Sequence, residues 1–532
     1  MTKSRRWAPF VAGLLLLTVV ATARAETPHS VFVMAKALDD LITLDPAEVF
    51  EFSGSEVIAN LYQRLFRANP DDPTKPIAEV AEGWRTSDDG RTFTFTIRDG
   101  LAFASGNPVT AEDVVFSLRR AVALNKAPSF ILTQFGVGPD TVMDAVTLVD
   151  NRRVALRLDK AYAPTLVLNA LSAGIASVVD RQTVIANTTP DDAWGNAWLR
   201  TRAAGGGPLT LRRWAPGEFL LLDPNPHFAG APPKLERVIL RDIREPSTQR
   251  LMLVRGDIDM ARNLGPDQIA VLKTVEGIRV LTARRARLFY LGLNQRHPAL
   301  SQPAVARAMR FLIDYDGIAD RLLAGRASVH QAFLPDGFFG ALSDRPYGFD
   351  PEQARGLLAE AGLTEGFAVT MDVRSDAIAL LIAQAIQAGM AEANITVEIV
   401  PGSGKQVLTK YRARRHGLFM GTWGPDYLDP HTNAGTFARN PDNSDEASER
   451  TLAWRNSWEI PELTRRAEQA VLIADPDRRA AIYAELQKTV RDASPFIVMF
   501  QENELIAMRD TVTGFTAGLT SDQTLYHRIE KH

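Results

Sequence analysis

The sequence predicts an α/β protein with two or three hydrophobic cores. At 532 residues and 45% hydrophobic content, the chain is long enough to build them. In the C-terminal half, apolar patterns predict strands over 367–373, 395–400 and 418–423, with helices over 377–393 and 405–414. Strand–helix–strand units of about 35 residues imply parallel strand pairs joined by right-handed crossovers. We therefore expect this half to form a lobe with a largely parallel sheet.

Helix-end signals define the helix that precedes these strands. Asp350 is suited to cap a helix, Pro351 stands at the first helical position, and Gln353 follows three residues after the cap. Gly362 then provides the left-handed conformation in which many helices end. These signals predict a helix from 351 to about 361.

A more specific pattern lies between Thr92 and Leu124. Its first part, TFTFTI, alternates apolar residues with threonines, which is typical of a strand with one buried face. Glycine, asparagine and proline then predict a turn. Thr110, followed three residues later by Asp113, predicts the start of a helix. The residues alone indicate a strand–turn–helix unit.

This unit also carries a family resemblance. The segment RDGLAFASGNPVTAEDVVFSL resembles the signature of the family 5 extracytoplasmic solute-binding proteins, the peptide-binding receptors of ABC importers. Further matches follow at 205–225, 255–259 and 291–314, although Leu209 stands where the family usually has tyrosine. The matching segments lie within 43–498 and so cover nearly the whole mature chain.

The resemblance implies a two-lobed periplasmic-binding-protein fold of the cluster C type, with an extra inserted subdomain and a two-strand hinge. Ligand binding is then expected to close the lobes over the solute. The two chain crossings of the hinge are expected near Arg287–Asn294 and Val498–Glu504. The implied division is a signal peptide at 1–25, lobe I at 26–70, 200–286 and 502–532, the inserted subdomain at 71–199, and lobe II at 287–501.

The N-terminus has the features of a secretory signal peptide. Basic residues within the first six positions precede a short apolar stretch at 10–21, and Ala23-Arg24-Ala25 forms a cleavage site of the A-x-A type. The mature chain is therefore expected to begin near Glu26. About 12 apolar residues are too few to span a bilayer, and an uncleaved membrane anchor is the alternative interpretation.

The composition and net charge of the chain limit its possible cellular locations and binding partners. The chain has no cysteine, which excludes disulfides, thiolate metal sites and a lipid anchor attached to cysteine. Its net charge is −3, and removal of a signal peptide with four basic and no acidic residues leaves −7. An acidic surface argues against nucleic acid or anionic lipid as partners. We expect a soluble, monomeric periplasmic protein whose protein partner, implied by the resemblance, is an inner-membrane ABC permease.

The main candidate site follows the strand 418–423. In open α/β sheets, ligands bind in the crevice outside the carboxyl ends of the strands. This strand ends in WGPDYLDP, which resembles the loop whose aspartate, here Asp426, binds a peptide's α-ammonium group in the family. Trp423 and Tyr427 are suited to form flat apolar walls and a cation–π face. Gly424 is expected to leave room for a ligand backbone.

Two further residues are candidates. Arg374 follows its strand in the region from which short-peptide members of the family recruit a carboxylate-binding arginine, and Phe130 stands where the family presents an aromatic from its inserted subdomain. These two candidates and Asp426 all have a structural alternative: Asp426 as a turn residue beside packed aromatics, Arg374 as a solvated strand end, and Phe130 in the core. Asp429-Pro430 is expected to be structural.

The sequence gives little evidence of catalytic activity. It has no G-x-S-x-G or H-E-x-x-H motif, and its eight histidines are scattered, so we expect no catalytic residues, metal or cofactor. The basic run 412–416 is interpreted as a solvated helix end. Two hypotheses remain: a receptor for short peptides or similar amino compounds, and a periplasmic enzyme or folding factor on a similar fold. Within the receptor class, the resemblance leaves nickel chelates, haem, opines, glutathione and sugars as alternative solutes.

Overall fold

The computed structural model of the protein describes residues 26–69 and 71–532. The predicted signal peptide at 1–25 lies outside these residues. None of the described helices is both long enough and apolar enough to cross a membrane.

A mixed sheet of eleven strands forms the centre of the described structure. Its strands lie in the order Leu209–Ala215, Phe219–Pro224, Arg237–Asp242, Val31–Lys36, Met260–Ala261, Phe496–Arg509, Ile278–Leu293, Leu418–Trp423, Phe367–Arg374 and Ile395–Gly402, with Ala327–Val329 paired to Phe496–Arg509.

The C-terminal half of this sheet differs in part from the prediction. The strand Phe367–Arg374 is parallel to both of its neighbours, Ile395–Gly402 and Leu418–Trp423, as predicted. The prediction of a largely parallel sheet is wrong, because Ile278–Leu293 runs antiparallel to both Leu418–Trp423 and Phe496–Arg509. The strand Ile278–Leu293 thus gives the C-terminal half of the sheet antiparallel pairs beside its parallel ones.

The strands Ile278–Leu293 and Phe496–Arg509, here called the crossover strands, join the two halves of the sheet. Their pairing is interrupted by a bulge in which residues 285–287 face only Glu502. The hydrophobic core changes here as well, since Ala283 packs with the N-terminal half and the residues after the bulge pack with the C-terminal half. A bulge bends and twists a strand locally, so the predicted hinge falls at an irregular point of the sheet. The exact lobe boundaries stay a prediction.

An additional unit, here called the inserted unit, has its own antiparallel sheet and its own core. The apolar side chains of TFTFTI are buried in that core, which confirms the predicted alternation. Thr110 and Asp113 form the predicted capping box at the start of the helix Ala111–Ala123. The sheet has the order Ala81–Thr86, Thr92–Ile97, Arg153–Arg157 and Val146–Leu148.

The remaining elements surround these sheets. Asp350 accepts a hydrogen bond from the N–H of Gln353, and Gly362 has a φ of 71°, so both predicted helix-end signals are confirmed.

Three short strand pairs are Gln63–Arg64 with Ser177–Val178, Phe66–Arg67 with Ile77–Ala78, and Val512–Thr513 with Glu530–Lys531. The α-helices are Phe52–Leu61, Ala111–Ala123, Phe130–Thr133, Val142–Ala145, Pro164–Ala170, Arg181–Ile185, Asn196–Leu199, Pro246–Arg255, Pro266–Leu272, Pro303–Arg310, Tyr315–Gly317, Pro351–Glu360, Ala377–Ala391, Gly404–Arg412, His431–Phe437, Leu452–Arg455, Pro461–Ala470 and Pro476–Ala493.

Candidate ligand-binding cavity

A cavity of about 1400 Å³ lies among the N-terminal segment, the inserted unit and the C-terminal half. Its wall includes Glu56 from the N-terminal segment, Phe130 from the inserted unit, Arg287 from a crossover strand and Asp426 from the loop that follows the strand Leu418–Trp423. Clefts between domains are a frequent place for small-molecule sites. The cavity is therefore the candidate ligand site.

A buried ion pair holds the loop 424–430 in place. Two guanidinium nitrogens of Arg479 donate to the two carboxylate oxygens of Asp429, each over 2.8 Å, and neither side chain is exposed. Arg479 also donates to the hydroxyl oxygen of Thr165 in the inserted unit over 2.6 Å. Asp429 is therefore structural, as predicted, and it fixes the loop to two other parts of the chain.

Asp426 has no cationic partner among the described residues. Its backbone N–H donates to the hydroxyl oxygen of Thr432 over 3.0 Å, and that hydroxyl lies 3.5 Å from the carboxylate Oδ2. The side chain is half-buried in the cavity wall. Burial raises the pKa of Asp426 to about 7, and the hydrogen bond from Thr432 opposes this rise only in part. A ligand ammonium group would supply the missing positive charge.

The two aromatic neighbours of Asp426 line the cavity to different extents. Trp423 donates from Nε1 to Oδ1 of Asn433 over 3.1 Å, and its half-buried ring contributes to the cavity wall. Tyr427 is only 6% exposed, because most of its ring packs in the core of the inserted unit. Its hydroxyl donates to Oε1 of Gln134 over 3.1 Å. The wall predicted for both residues is thus formed mainly by Trp423.

Phenylalanine side chains from other segments also line this part of the cavity wall. Phe130 is 42% exposed in the cavity and meets Phe50 edge to face at 6.0 Å. Phe52 lies 4.1 Å from the guanidinium carbon of Arg287. A Cβ added at Gly424 would lie 3.4 Å from the Phe52 ring, an ordinary van der Waals contact, so this ring borders the space beside Gly424. Sequence reasoning missed Phe50 and Phe52, because nothing local distinguishes them from core aromatics.

Arg374 matches its alternative interpretation as a solvated strand end, whereas the basic run 412–416 matches its interpretation only in part. Arg374 is exposed and does not line the cavity; its guanidinium lies against Gly404 at the start of a helix. The geometry thus separates Arg374 from Asp426. The interpretation of 412–416 as a solvated helix end is wrong for Arg414 and His416, whose side chains are buried. Hydrogen bonds to Ser457, Asn443 and Asn456 hold these two side chains inside the C-terminal half.

A buried network of charges forms another part of the wall. Lys36 lies 2.9 Å from Glu56, while Glu504 pairs with Arg262 over 2.6 Å and with Arg285 over 2.7 Å. Burial opposes ionisation of Glu56, but the charges of Arg262 and Lys36 outweigh it and lower the pKa of Glu56 to about 2. Every member has an oppositely charged partner, but three basic side chains share two carboxylates, so the network keeps one formal positive charge. Sequence reasoning missed it, because its members come from separate segments.

The family follows from comparison with known proteins. Residues 75–445 match the family described as bacterial extracellular solute-binding proteins, family 5 middle. The chain belongs to this family. The predicted family and the predicted two-lobed α/β fold of solute-binding proteins are therefore confirmed.

Relatives of this solute-binding protein match over almost their whole length. The probable D,D-dipeptide-binding periplasmic protein DdpA of Escherichia coli K12 is 29% identical over 520 residues, which cover 97% of each chain. The glutathione-binding protein GsiB of Salmonella typhi is 24% identical over 95% of each chain. The solved structure of DppA from Helicobacter pylori, in complex with the peptide STSA, has a TM-score of 0.77 at 21% identity and covers 94% of this chain and 98% of its own.

Within 26–69 and 71–532, no group of three or more histidine, aspartate or glutamate side chains is arranged to hold a metal ion. The predicted site residues that the structure brings together are Asp426, Trp423, Gly424, Tyr427 and Phe130.

Proposed function

We propose that this protein is the periplasmic substrate-binding component of an ABC importer, and that it captures a short peptide or a similar amino compound. After removal of residues 1–25 it acts as a soluble monomer, closes over its ligand and delivers it to an inner-membrane permease. The observation that carries this proposal is Asp426, a carboxylate in the cavity wall whose pKa is raised to about 7 and which has no cationic partner within 26–69 and 71–532. A ligand ammonium in a partly dry cleft binds such a carboxylate strongly.

The comparisons support an amino compound as the ligand. DdpA is named for D,D-dipeptides, GsiB for glutathione, and the DppA structure contains a peptide, and all of these compounds carry a free amino group. Trp423 and Phe130 add apolar surface beside Asp426, which suits the non-polar part of such a ligand. Within the receptor class, haem and sugars carry no ammonium group, so they explain the unpaired carboxylate less directly than an amino compound does.

Binding of D-alanyl-D-alanine and of glutathione tests the proposal. We expect at least one of them to bind with a dissociation constant of about 1 μM or below, equivalent to roughly −8 kcal/mol or better. The N-acetylated form of the bound compound should bind about 100-fold more weakly, because it lacks the ammonium group. Calorimetry measures the affinities, and mass spectrometry of the recovered ligand should show it unchanged. Hydrolysis would favour the enzyme hypothesis, and equal affinity for the acetylated form would contradict the role of Asp426.

The affinity for an amine ligand should depend on pH. In the free protein the pKa of Asp426 is about 7, so the carboxylate is about half ionised at pH 7. A bound ammonium group favours the ionised form, so binding at pH 7 should release about half a proton. The affinity should fall as the pH decreases below 7, by roughly 50-fold at pH 5. Calorimetry in buffers of different ionisation enthalpy measures the released protons, and a pH-independent affinity between 5 and 7 would contradict the assignment.

A further inference from the structure

Arg310 is a buried guanidinium without a carboxylate partner. It ends the helix Pro303–Arg310 and is only 2% exposed, yet it forms no ion pair within the described ranges 26–69 and 71–532. Each of the other arginines that are buried there pairs with a carboxylate; they are Arg64, Arg120, Arg262, Arg285, Arg414 and Arg479. A buried charge is costly unless it is paired. The surroundings of Arg310 must therefore be searched for a counter-charge.

Backbone carbonyl groups satisfy only one nitrogen of this guanidinium. Nη2 of Arg310 donates to the carbonyl oxygens of Ser494 and Phe496 over 2.7 Å and 3.1 Å. The face of the guanidinium lies over the ring of Tyr347, with 5.7 Å between the guanidinium carbon and the ring centroid. Nη1 is buried and has no hydrogen-bond partner among the described residues. Because carbonyl oxygens carry only partial charges, most of the positive charge stays unbalanced.

A small cavity adjoins Arg310. Its volume of about 10 Å³ is enough for one occupant of about the size of a water molecule. The wall shares no residue with the large ligand cavity, and it contains two guanidinium groups, Arg310 and Arg491, but no carboxylate. The charge of Arg491 is already balanced, because Arg491 pairs with both Asp344 and Asp492. The cavity thus has a net positive wall.

The charge of Arg310 persists in spite of its burial. Burial lowers the pKa of Arg310, and the charge of Asp492 opposes this shift in part. Asp492 is exposed and accepts hydrogen bonds from Nε of Arg491 and from the hydroxyl of Tyr347, each over 3.0 Å. A guanidinium remains protonated at neutral pH in proteins. Arg310 therefore combines a positive charge, an unused buried donor and an adjoining space of atomic size.

These features point to an anion site: we propose that Nη1 of Arg310 binds a single halide ion, chloride in physiological solution, in the small cavity. A water molecule could accept the same hydrogen bond, but it would leave the charge unbalanced. A halide ion is only slightly larger than water, whereas a carboxylate or phosphate is too large for the space. The ion connects the end of the helix Pro303–Arg310 to the strand Phe496–Arg509, since Ile497 and Val498 also line the cavity. This site is independent of the ligand at Asp426.

Thermal unfolding in chloride and in gluconate tests the proposal. Gluconate has the same charge as chloride but cannot enter so small a cavity. At a constant ionic strength of about 150 mM, replacement of gluconate by chloride should raise the unfolding temperature by about 2–3 °C, because the ion binds only the folded state. The increase should disappear in Arg310→Met. The matched control Arg307→Gln should retain it, because Arg307 is exposed on the same helix.

Anomalous scattering from bromide locates the ion directly in crystals of the unsubstituted protein. After a soak in about 150 mM sodium bromide, we expect a bromide peak within hydrogen-bond distance of Nη1 of Arg310. This measurement decides the question even if Arg310→Met does not fold. Absence of the peak overturns the proposal and leaves water as the occupant. A chloride effect on unfolding that is equally large in Arg310→Met also overturns it.

Discussion

Asp426→Asn is expected to weaken the binding of an amine ligand such as D-alanyl-D-alanine about 100-fold or more. Loss of one partner of a buried charge pair costs about 3–5 kcal/mol, because the other charge stays in the cavity without a counter-charge. The free protein should not lose stability. In the folded protein the pKa of Asp426 is raised to about 7, so at pH 8 the ionised carboxylate lowers the free energy of unfolding of the ligand-free protein. The neutral amide of asparagine removes this destabilisation.

Calorimetry and thermal unfolding at pH 8 separate these two effects. Asp39→Asn is the matched control, because Asp39 is an exposed carboxylate that also lines the cavity. We expect this control to change the affinity less than about threefold, since exposed charge pairs contribute only about 0–1 kcal/mol. If Asp426→Asn binds the amine ligand with near-native affinity, Asp426 is an ordinary turn residue and does not bind the ligand.

Asp429→Asn is expected to lower the free energy of unfolding by about 3–5 kcal/mol. The substitution leaves the fully buried guanidinium of Arg479 without its counter-charge, which is the costly way to break a buried pair. Because Arg479 also holds Thr165 of the inserted unit, ligand affinity should fall as well, through displacement of the loop that carries Asp426.

Chemical denaturation followed by tryptophan fluorescence measures the stability effect. Glu462→Gln is the control, since it removes an exposed pair with Arg465 and should change the unfolding free energy by less than about 1 kcal/mol. If Asp429→Asn is no less stable than this control, the buried pair does not stabilise the loop as described.

Local signals predicted the fold elements well, because their causes lie within a few residues. The capping box of Thr110 with Asp113 and the cap at Asp350 each depend on a hydrogen bond three residues along the chain. The sheet was predicted less well. Nothing near the strand Ile278–Leu293 indicates that it pairs in antiparallel fashion with Phe496–Arg509, because that choice depends on packing between segments far apart in the sequence.

For the candidate site, too, the residues identified by a local motif were predicted, and those placed by long-range packing were not. The loop motif located Asp426 and Trp423 through family resemblance, and the structure places both in the cavity wall. Arg374 was a candidate because it ends a neighbouring strand, but strand order alone does not say whether a side chain reaches the cavity. Phe50 and Phe52 could not be separated from core aromatics by their sequence context, since their place in the cavity wall depends on how distant segments pack.

The position of the strand Phe496–Arg509 has a consequence for how the chain folds. This strand lies inside the sheet, between Met260–Ala261 and Ile278–Leu293, although it comes near the end of the chain. Its partners on Ile278–Leu293 are roughly 200 residues earlier in sequence, and such distant pairings slow folding. Until the last strand arrives, both neighbours have unpaired edges that can associate with other chains. Completion of the sheet thus depends on Phe496–Arg509, which follows every other strand of this sheet in sequence.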